Sequence, residues 1–157
     1  NPSKIPVAAV RAGNVIGGGD WASYRLIPDL VRAFETRSAL IIRNPQSTRP
    51  FQHVLDCLFG YILVAQSHFL KKQVKVFDKF NFGPDSKVNK NVGELINEMQ
   101  IRWKDSAGWI NKYINDGKPE ANLLKLSCDR ANILLKWYPV LDFFETVEFT
   151  ANWYLHF

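Results

Sequence analysis

The stretch from Pro6 to Trp21, which reads PVAAVRAGNVIGGGDW, decides the fold prediction. Its first part, Pro6 to Val10, is a short continuous apolar run typical of a strand that is buried on both faces. The polar Asn14 and the glycines Gly17–Gly19 follow. Ligands in open α/β sheets bind beyond the carboxyl ends of the strands, so this stretch marks a candidate site. The residues alone fit equally well a simpler role, in which the glycines turn the chain and Asn14 caps it.

Strands and helices alternate along the rest of the chain, which predicts an α/β fold. Apolar residues recur at helical spacing, or follow a capping residue, in five segments. The predicted helices are Arg25–Thr36, Asp56–Phe69, a helix introduced by Asn91, a helix capped by Ser127 or Asp129 that runs to about Leu135, and a last helix from near Asp142. The predicted short strands are Leu40–Ile42, Phe51–Val54, Phe80–Gly83 and Leu123–Leu126.

Composition and charge limit the classes of function. The chain has 157 residues, a net charge of +5 and 46% hydrophobic residues, as expected for one globular domain. No apolar run approaches the roughly 20 residues that a membrane span needs. Six arginines lie singly among the first fifty residues instead of in one basic run. This distribution suits a pocket for a compact anion better than a nucleic-acid surface.

Several common functional motifs do not occur. The glycine run lacks the G-x-G-x-x-G spacing, and there is no G-x-x-x-x-G-K-[ST] loop, no paired Cys-x-x-Cys and no His-Glu-x-x-His. The three histidines are too scattered to predict a metal site. Cys57 and Cys128 lie far apart in apolar surroundings, and we interpret both as buried thiols of a cytoplasmic protein, with no disulfide.

Seven blocks, taken in order, resemble the nucleotide-sugar 4,6-dehydratases of the extended short-chain dehydrogenase/reductase family, also called the NAD-dependent epimerase/dehydratase family. The blocks at Arg11–Trp21 (RAGNVIGGGDW) and Arg49–Asp56 (RPFQHVLD) are the most specific. The others are Arg25–Asp29, Ile42–Pro45, Phe80–Pro84, Leu135–Pro139 and Thr150–Tyr154. The segment Lys118–Ala121 resembles a Pro-His-Glu-Ala segment of the family but lacks its histidine.

The resemblance implies that residues 1–157 are the C-terminal, substrate-binding portion of a Rossmann-type enzyme: the last sheet strand plus a small mixed α/β domain. In this family a preceding domain holds NAD and the reactive residues, and the enzyme removes water from a nucleotide sugar through an internal redox cycle. The family's Tyr-x-x-x-Lys pair does not occur here, so no catalytic residue is assigned and the piece alone is expected to be inert. The resemblance further implies a homodimer and a role in deoxysugar synthesis for lipopolysaccharide O-antigen.

The resemblance also implies site residues. Asn14 matches an asparagine that hydrogen-bonds the substrate near its diphosphate, and Arg49 matches an arginine that grips the diphosphate. A guanidinium suits this role because it offers planar, bidentate donors and stays charged. Val15 matches a position whose backbone approaches the nicotinamide of NAD. Asn81 matches a position near the substrate.

Two further pairs complete the predicted site. Arg25 and Leu26 match the start of the helix that lies along the nucleotide, and Ile42 and Arg43 match a segment beside the base. We interpret His53, in contrast, as a structural histidine whose ring bonds a backbone group.

Alternative functions remain open at this level. One is a related epimerase or dehydratase acting on a UDP- or dTDP-sugar. Another is a non-catalytic module that binds a nucleotide sugar or a partner protein. We also expect the strand at Val7 to expose two pairing edges, which predicts poor solubility for the isolated chain.

Overall fold

The structure, a computed structural model, describes residues 7–70, 77–85, 88, 90–103, 106–112 and 126–157. These residues form a mixed α/β fold with parallel strand pairs, as the sequence predicts. The helices are α1 (Leu26–Glu35), α2 (Val54–Phe69), α3 (Val92–Arg102), α4 (Asp129–Leu135) and α5 (Phe143–His156). The strands are β1 (Val7–Ala12), β2 (Asn14–Ile16), β3 (Leu40–Ile42), β4 (Phe51–His53), β5 (Phe77–Phe82) and β6 (Trp109–Asn111).

The extended segment 7–16 organises the sheet, because its two halves pair with different strands. β1 pairs in parallel with β5, and β2 pairs in parallel with β4. At the junction the N–H of Gly13 donates to Phe82 O at 3.0 Å, and the N–H of Asn14 donates to Pro50 O at 2.9 Å. Consecutive N–H groups of an extended chain point to opposite sides, so β5 and β4 lie on opposite edges of this segment. A Cβ on Gly13 would stand 2.5 Å from Pro50 O, which explains the glycine at the junction.

Two expectations about the first strand are wrong. Val7 is 50% and Val10 36% exposed, so β1 is not buried on both faces within the described residues. The prediction of two open pairing edges fails because β5 covers one edge of β1 along its whole length. The apolar run identified the strand correctly, but a run of this kind does not say which partners cover it.

The main core lies between α1, α3 and α5 and the strands β2, β3 and β4. Leu30, Val31, Leu95, Ile96 and Met99 are fully buried there. A second cluster joins α2, α4 and β5 around Trp137, whose ring meets Phe82 edge to face at a centroid distance of 4.9 Å. Burial of this apolar surface is the main stabilising term of both clusters.

Helix starts follow local capping signals, with two corrections. Asn91 caps α3 through a reciprocal pair with Glu94, and Asp142 caps α5 in the same way with Glu145. The helix predicted from Asp56 begins two residues earlier, at Val54. The N-cap of α4 is Cys128, which makes no side-chain capping bond, so neither Ser127 nor Asp129 caps that helix.

Some predicted features fall elsewhere or outside the described residues. β6, which pairs in parallel with β3, had no counterpart in the sequence prediction. The predicted strand Leu123–Leu126 and the segment Lys118–Ala121 lie outside the described residues, except for Leu126, which is not in a strand. Both cysteines are free thiols; Cys57 is buried as predicted, whereas Cys128 is only partly buried. In the part of the chain that is described, no helix is long and apolar enough to cross a membrane.

Candidate functional site

A cavity of about 1350 Å³ opens beyond the end of β2. Its walls come from the glycine-rich segment 13–20, the turn and helix start at 24–29, and the end of β3 with the residues after it. Ser47, Arg49, Phe51, Val54 and Val92 complete the lining. The cavity therefore lies at the carboxyl end of a parallel strand, where α/β sheets bind ligands.

The cavity brings together most of the residues that the sequence singled out. The lining includes Asn14, Arg25, Leu26, Ile42, Arg43 and Arg49 from the predicted substrate set, together with Val15 from the predicted cofactor contact. These positions come from four separate elements and loops. Their roles toward a ligand stay predictions, but the fold gathers them around one space large enough for a nucleotide-sized molecule.

Asn81 lies apart from this group. It is on β5, opposite Arg11 in the register, and its side-chain Nδ2 donates to Ser127 O at 3.0 Å. It is not among the residues that line the cavity.

The charged side chains that line the cavity are net positive, because three arginines outnumber two aspartates. Arg49 is half-buried; its Nη1 donates to Thr48 O at 3.0 Å, and its backbone N–H donates to Lys90 O at 3.1 Å. Arg25 is exposed, and its Nη1 lies 3.4 Å from Asp20 Oδ2; such a solvent-exposed ion pair is weak. Arg43 is exposed beyond the end of β3. Together these guanidiniums suit an anionic group such as a diphosphate.

The amide of Asn14 is available to a ligand. Its backbone N–H belongs to the β2–β4 ladder, while its side chain is exposed at the cavity wall and makes no hydrogen bond to the described part of the chain. A primary amide offers two donors and one acceptor carbonyl, so it can bond an oxygen-rich ligand without adding charge.

Close packing against α5 explains the glycines of the cavity wall. A Cβ on Gly18 would lie 2.0 Å from Cγ of Trp153, and Gly19 has a φ of +82°. Gly18 thus allows close packing and Gly19 the turn. The simpler interpretation from the sequence, that these glycines turn the chain, is therefore correct but incomplete, because the run is also required by packing.

Tyr154 of α5 holds the next residue of the same wall. Its hydroxyl donates to Asp20 O at 2.7 Å, and Trp21 packs edge to face on its ring at 5.2 Å. Burial raises the pKa of Tyr154, so this hydroxyl stays protonated and continues to donate. The wall is therefore fixed to a helix that begins more than a hundred residues later.

His53, which precedes the cavity-lining Val54, has the predicted structural role. It is the N-cap of α2, and its Nδ1 accepts a hydrogen bond from the N–H of Leu55 at 3.3 Å. Burial lowers the pKa of His53, although the nearby Asp56 carboxylate acts in the opposite direction. A neutral ring is what the capping contact requires, because Nδ1 must accept.

Asp56 has a structural role that the sequence did not reveal. Its buried carboxylate accepts the N–H groups of Val140 at 3.0 Å and Leu141 at 3.1 Å. Its backbone carbonyl accepts the indole N–H of Trp137 at 3.1 Å. The first turn of α2 thereby anchors the segment that leads into α5.

Sequence reasoning also missed Tyr24. This residue lines the cavity, is 98% exposed and has a positive φ of 64°. No sequence motif predicts a tyrosine with a positive φ, because tyrosine seldom adopts the left-handed region. Among the described residues there is no group of three or more His, Cys, Asp or Glu side chains that could hold a metal ion.

Comparison with known proteins confirms the resemblance seen in the sequence. The chain is 45% identical over 150 residues to the CDP-glucose 4,6-dehydratase of Salmonella typhimurium, an alignment that covers 96% of this chain and 41% of that enzyme, its C-terminal part. No protein-family model matches the chain. The chain thus spans less than half the length of the curated relative that it matches.

Solved structures show the same fold in nucleotide-sugar enzymes. The UDP-glucuronic acid 4-epimerase of Bacillus cereus, solved with UDP-glucuronic acid and NAD, matches with a TM-score of 0.77 at 18% identity, over 97% of this chain and 46% of that one. The UDP-glucose 4-epimerase of Stenotrophomonas maltophila gives 0.79 at 17% identity, over 98% and 49%. The dTDP-glucose 4,6-dehydratase of Bacillus anthracis, solved with NAD, gives 0.72 at 17% identity, over 95% and 44%. The chain has the fold of the C-terminal part of these enzymes.

Proposed function

We propose that this chain, a homologue of the nucleotide-sugar dehydratases and epimerases of the extended short-chain dehydrogenase/reductase family, is the sugar-nucleotide-binding part of a CDP-glucose 4,6-dehydratase. The complete enzyme converts CDP-glucose to CDP-4-dehydro-6-deoxyglucose with loss of one water. The observation that carries the proposal is that Asn14, Arg43 and Arg49 line one cavity, in a chain that is 45% identical to such an enzyme.

The diphosphate is the ligand group that the cavity suits best. Arg49 lines the cavity, and the hydrogen bond of its backbone N–H to Lys90 O fixes the position of its main chain there. Hydrogen bonds from a guanidinium to phosphate oxygens are charge-assisted and therefore stronger than neutral ones. Asn14 adds neutral donors on the same wall, and Arg25 and Arg43 supply further positive charge.

The geometry of Val15 fits the family's contact with NAD. Since the N–H of Asn14 bonds to the O of Pro50, the residue just before β4, the backbone groups of the next residue point to the opposite edge. That edge lies just past Phe82, where β5 ends, and among the described residues no strand pairs with it there, so the N–H and C=O of Val15 point toward the side of the sheet that β5 leaves uncovered. Bound NAD would supply the hydride acceptor and donor for the dehydration, and Val15 would contact its nicotinamide through these backbone groups.

An uncovered helix face supports the proposal that this chain works within a longer polypeptide. Leu55, Leu58, Phe59 and Ile62 form one side of α2 and are between 48% and 63% exposed. We call these four residues the apolar face of α2. A contiguous apolar surface of this kind is unfavourable in water and is normally covered. The preceding NAD-binding part of the enzyme is the proposed cover.

The test of the proposal uses the complete gene product, including whatever precedes Asn1. It is incubated with NAD and CDP-glucose, and mass spectrometry follows the loss of one water from the sugar nucleotide. UDP-glucose and dTDP-glucose are assayed in parallel, and the chain 1–157 alone is the negative control. Loss of water from CDP-glucose in preference to the other two supports the proposal. Turnover of a UDP- or dTDP-sugar alone would favour a relative with different base specificity.

A matched pair of arginine variants tests the site itself. Arg49→Lys keeps the positive charge but loses the bidentate geometry, so we expect the Kd for CDP-glucose to rise about tenfold or more. Arg130→Lys is the control, because Arg130 pairs with Asp78 on β5 and does not line the cavity. Equal affinities of the Arg49→Lys and wild-type enzymes would remove Arg49 from the proposed diphosphate site.

The finer features implied by the family belong to the same proposal. These are a homodimer, a cytoplasmic location and a product that enters deoxysugar synthesis for lipopolysaccharide O-antigen. A non-catalytic role in binding nucleotide sugars is the alternative outcome, and it would show as tight CDP-glucose binding by the complete protein without loss of water.

A further inference from the structure

We infer that Tyr24 is a ligand-contacting residue of the cavity, whose ring packs against the bound sugar nucleotide. The inference deepens the proposed function and rests on it. It adds an aromatic contact to a site otherwise described by its arginines and its amide.

Tyr24 combines two unfavourable properties. Its φ of 64° is in the left-handed region, which costs free energy for any residue with a Cβ. Its side chain is also 98% exposed, so in the described residues the ring gains nothing from packing that would offset this strain. Residues with a strained backbone conformation cluster at ligand-binding and active sites.

The conformation of the turn is imposed from outside Tyr24. Arg32 of α1 donates to the carbonyls of Trp21 at 3.1 Å and Ala22 at 3.4 Å. The carboxylate of Asp20 accepts the N–H of Ala22 at 3.0 Å, and its backbone carbonyl is held by Tyr154. The residues just before Tyr24 are therefore fixed, and α1 begins at Leu26, immediately after the turn.

The chemistry of the ring suits a sugar nucleotide. A tyrosine ring has a flat apolar face that can stack on a base or on the apolar face of a hexose, and it loses only two rotatable bonds on binding. It shares the cavity with Arg43 and Ile42 at the end of β3. Because the residues before it are fixed, Tyr24 has its place at the cavity wall before the ligand arrives.

The experiment compares three variants of the complete protein for binding of CDP-glucose and CDP by titration calorimetry. Tyr24→Asn removes the ring, while asparagine tolerates the left-handed region. We expect its Kd for CDP-glucose to rise about 5- to 150-fold, the range that corresponds to one aromatic stacking contact. Tyr24→Phe should stay within about threefold of wild type, because it keeps the apolar ring. Tyr138→Asn is the control, since Tyr138 is exposed but does not line the cavity.

A stability measurement checks the strain independently. Tyr24→Gly relieves the positive φ, so its Tm should equal or exceed that of wild type while its affinity for CDP-glucose falls. A fall in Tm for both Tyr24→Gly and Tyr24→Asn, with unchanged affinity, would show that the ring packs on another part of the protein and would overturn the inference.

Parallel titration of Arg49→Lys separates failure of the inference from failure of the proposed function. If wild type binds CDP-glucose, Arg49→Lys binds it weakly and Tyr24→Asn binds it normally, only the inference is wrong. If wild type binds none of CDP-glucose, UDP-glucose and dTDP-glucose, the proposed function is wrong and the inference falls with it.

Discussion

Replacing Gly18 with alanine should disturb the cavity by displacing Trp153, which packs against Gly18 in the cavity wall. The added Cβ would lie 2.0 Å from Cγ and 2.1 Å from Cδ2 of Trp153. Carbon atoms pack best at about 3.5 Å or more, so the indole must shift by about 1.5 Å. Trp153 stacks on Phe157 and meets Tyr154 edge to face, so it cannot shift alone.

Overpacking of this size typically costs about 1–3 kcal/mol of the free energy of unfolding. For a domain of this length each kcal/mol lowers Tm by roughly 2–4 °C. We expect Gly18→Ala in the complete protein to melt at a lower temperature and to bind CDP-glucose less tightly. The binding effect arises because Tyr154, the neighbour of Trp153, holds Asp20 O in the cavity wall.

A double-mutant cycle with Trp153→Leu isolates the proposed clash. The smaller side chain leaves room for the new methyl group, so the double variant should be more stable than the sum of the two single effects predicts, by about 1 kcal/mol or more. Gly19→Ala is the control, since its cost comes from the positive φ and Trp153 should not relieve it. A coupling energy near zero between positions 18 and 153 would refute the reasoning.

Two further predictions concern the start of α2. Burial lowers the pKa of His53 below its ordinary 6.5. Between the folded pKa and 6.5 the unfolded chain therefore binds more protons at this residue than the folded chain does. The contribution of His53 to stability should therefore be fully present above pH 6.5 and decrease as pH drops toward the folded pKa. Urea unfolding at pH 7.5 and 5.5 measures this decrease. The loss of stability between the two pH values should be smaller for His53→Asn, which keeps a capping acceptor but does not titrate. Asp56→Ala leaves the N–H groups of Val140 and Leu141 without their acceptor and should cost about 2–4 kcal/mol. The exposed Asp129→Ala should cost under about 1 kcal/mol, and equal losses for the two aspartate variants would contradict the anchoring role of Asp56.

The elements that could be predicted from the sequence are those whose signals are local. The start of α3 is predictable because Asn91 and Glu94 form a reciprocal capping pair within one turn. The strand Leu40–Ile42 and the apolar stripe of α1 have the same local character, and the structure has both as predicted. Such signals need no knowledge of distant residues.

The features that escaped prediction depend on distant partners. β6 is three residues long and exists because it pairs with β3, some seventy residues earlier. The sequence shows Asp56 only as the first residue of a predicted helix, because Val140 and Leu141, which its carboxylate binds, are 84 and 85 residues away. Exposure of β1 is similar, since an apolar run does not state what covers it.

The candidate site shows the same division. Resemblance, not composition, named Asn14, Arg43 and Arg49, and the fold then gathered them around one cavity. Asn81 was named in the same way but lies outside the lining, bonded to Ser127 O. Tyr24 had no sequence signal, because its position depends on how Arg32 and Tyr154 hold the turn before it.

The pairing of β1 with β5 has a consequence for synthesis on the ribosome. Ala12 pairs with Phe82, so the first strand must wait for about 70 further residues, or about 4–14 s at usual elongation rates, before this partner is made. During that interval the nascent chain presents the apolar segment 7–16 with the pairing edge that β5 later covers. We therefore expect slower translation before Phe82 to increase chaperone binding to the nascent chain, whereas slower translation after it should have little effect.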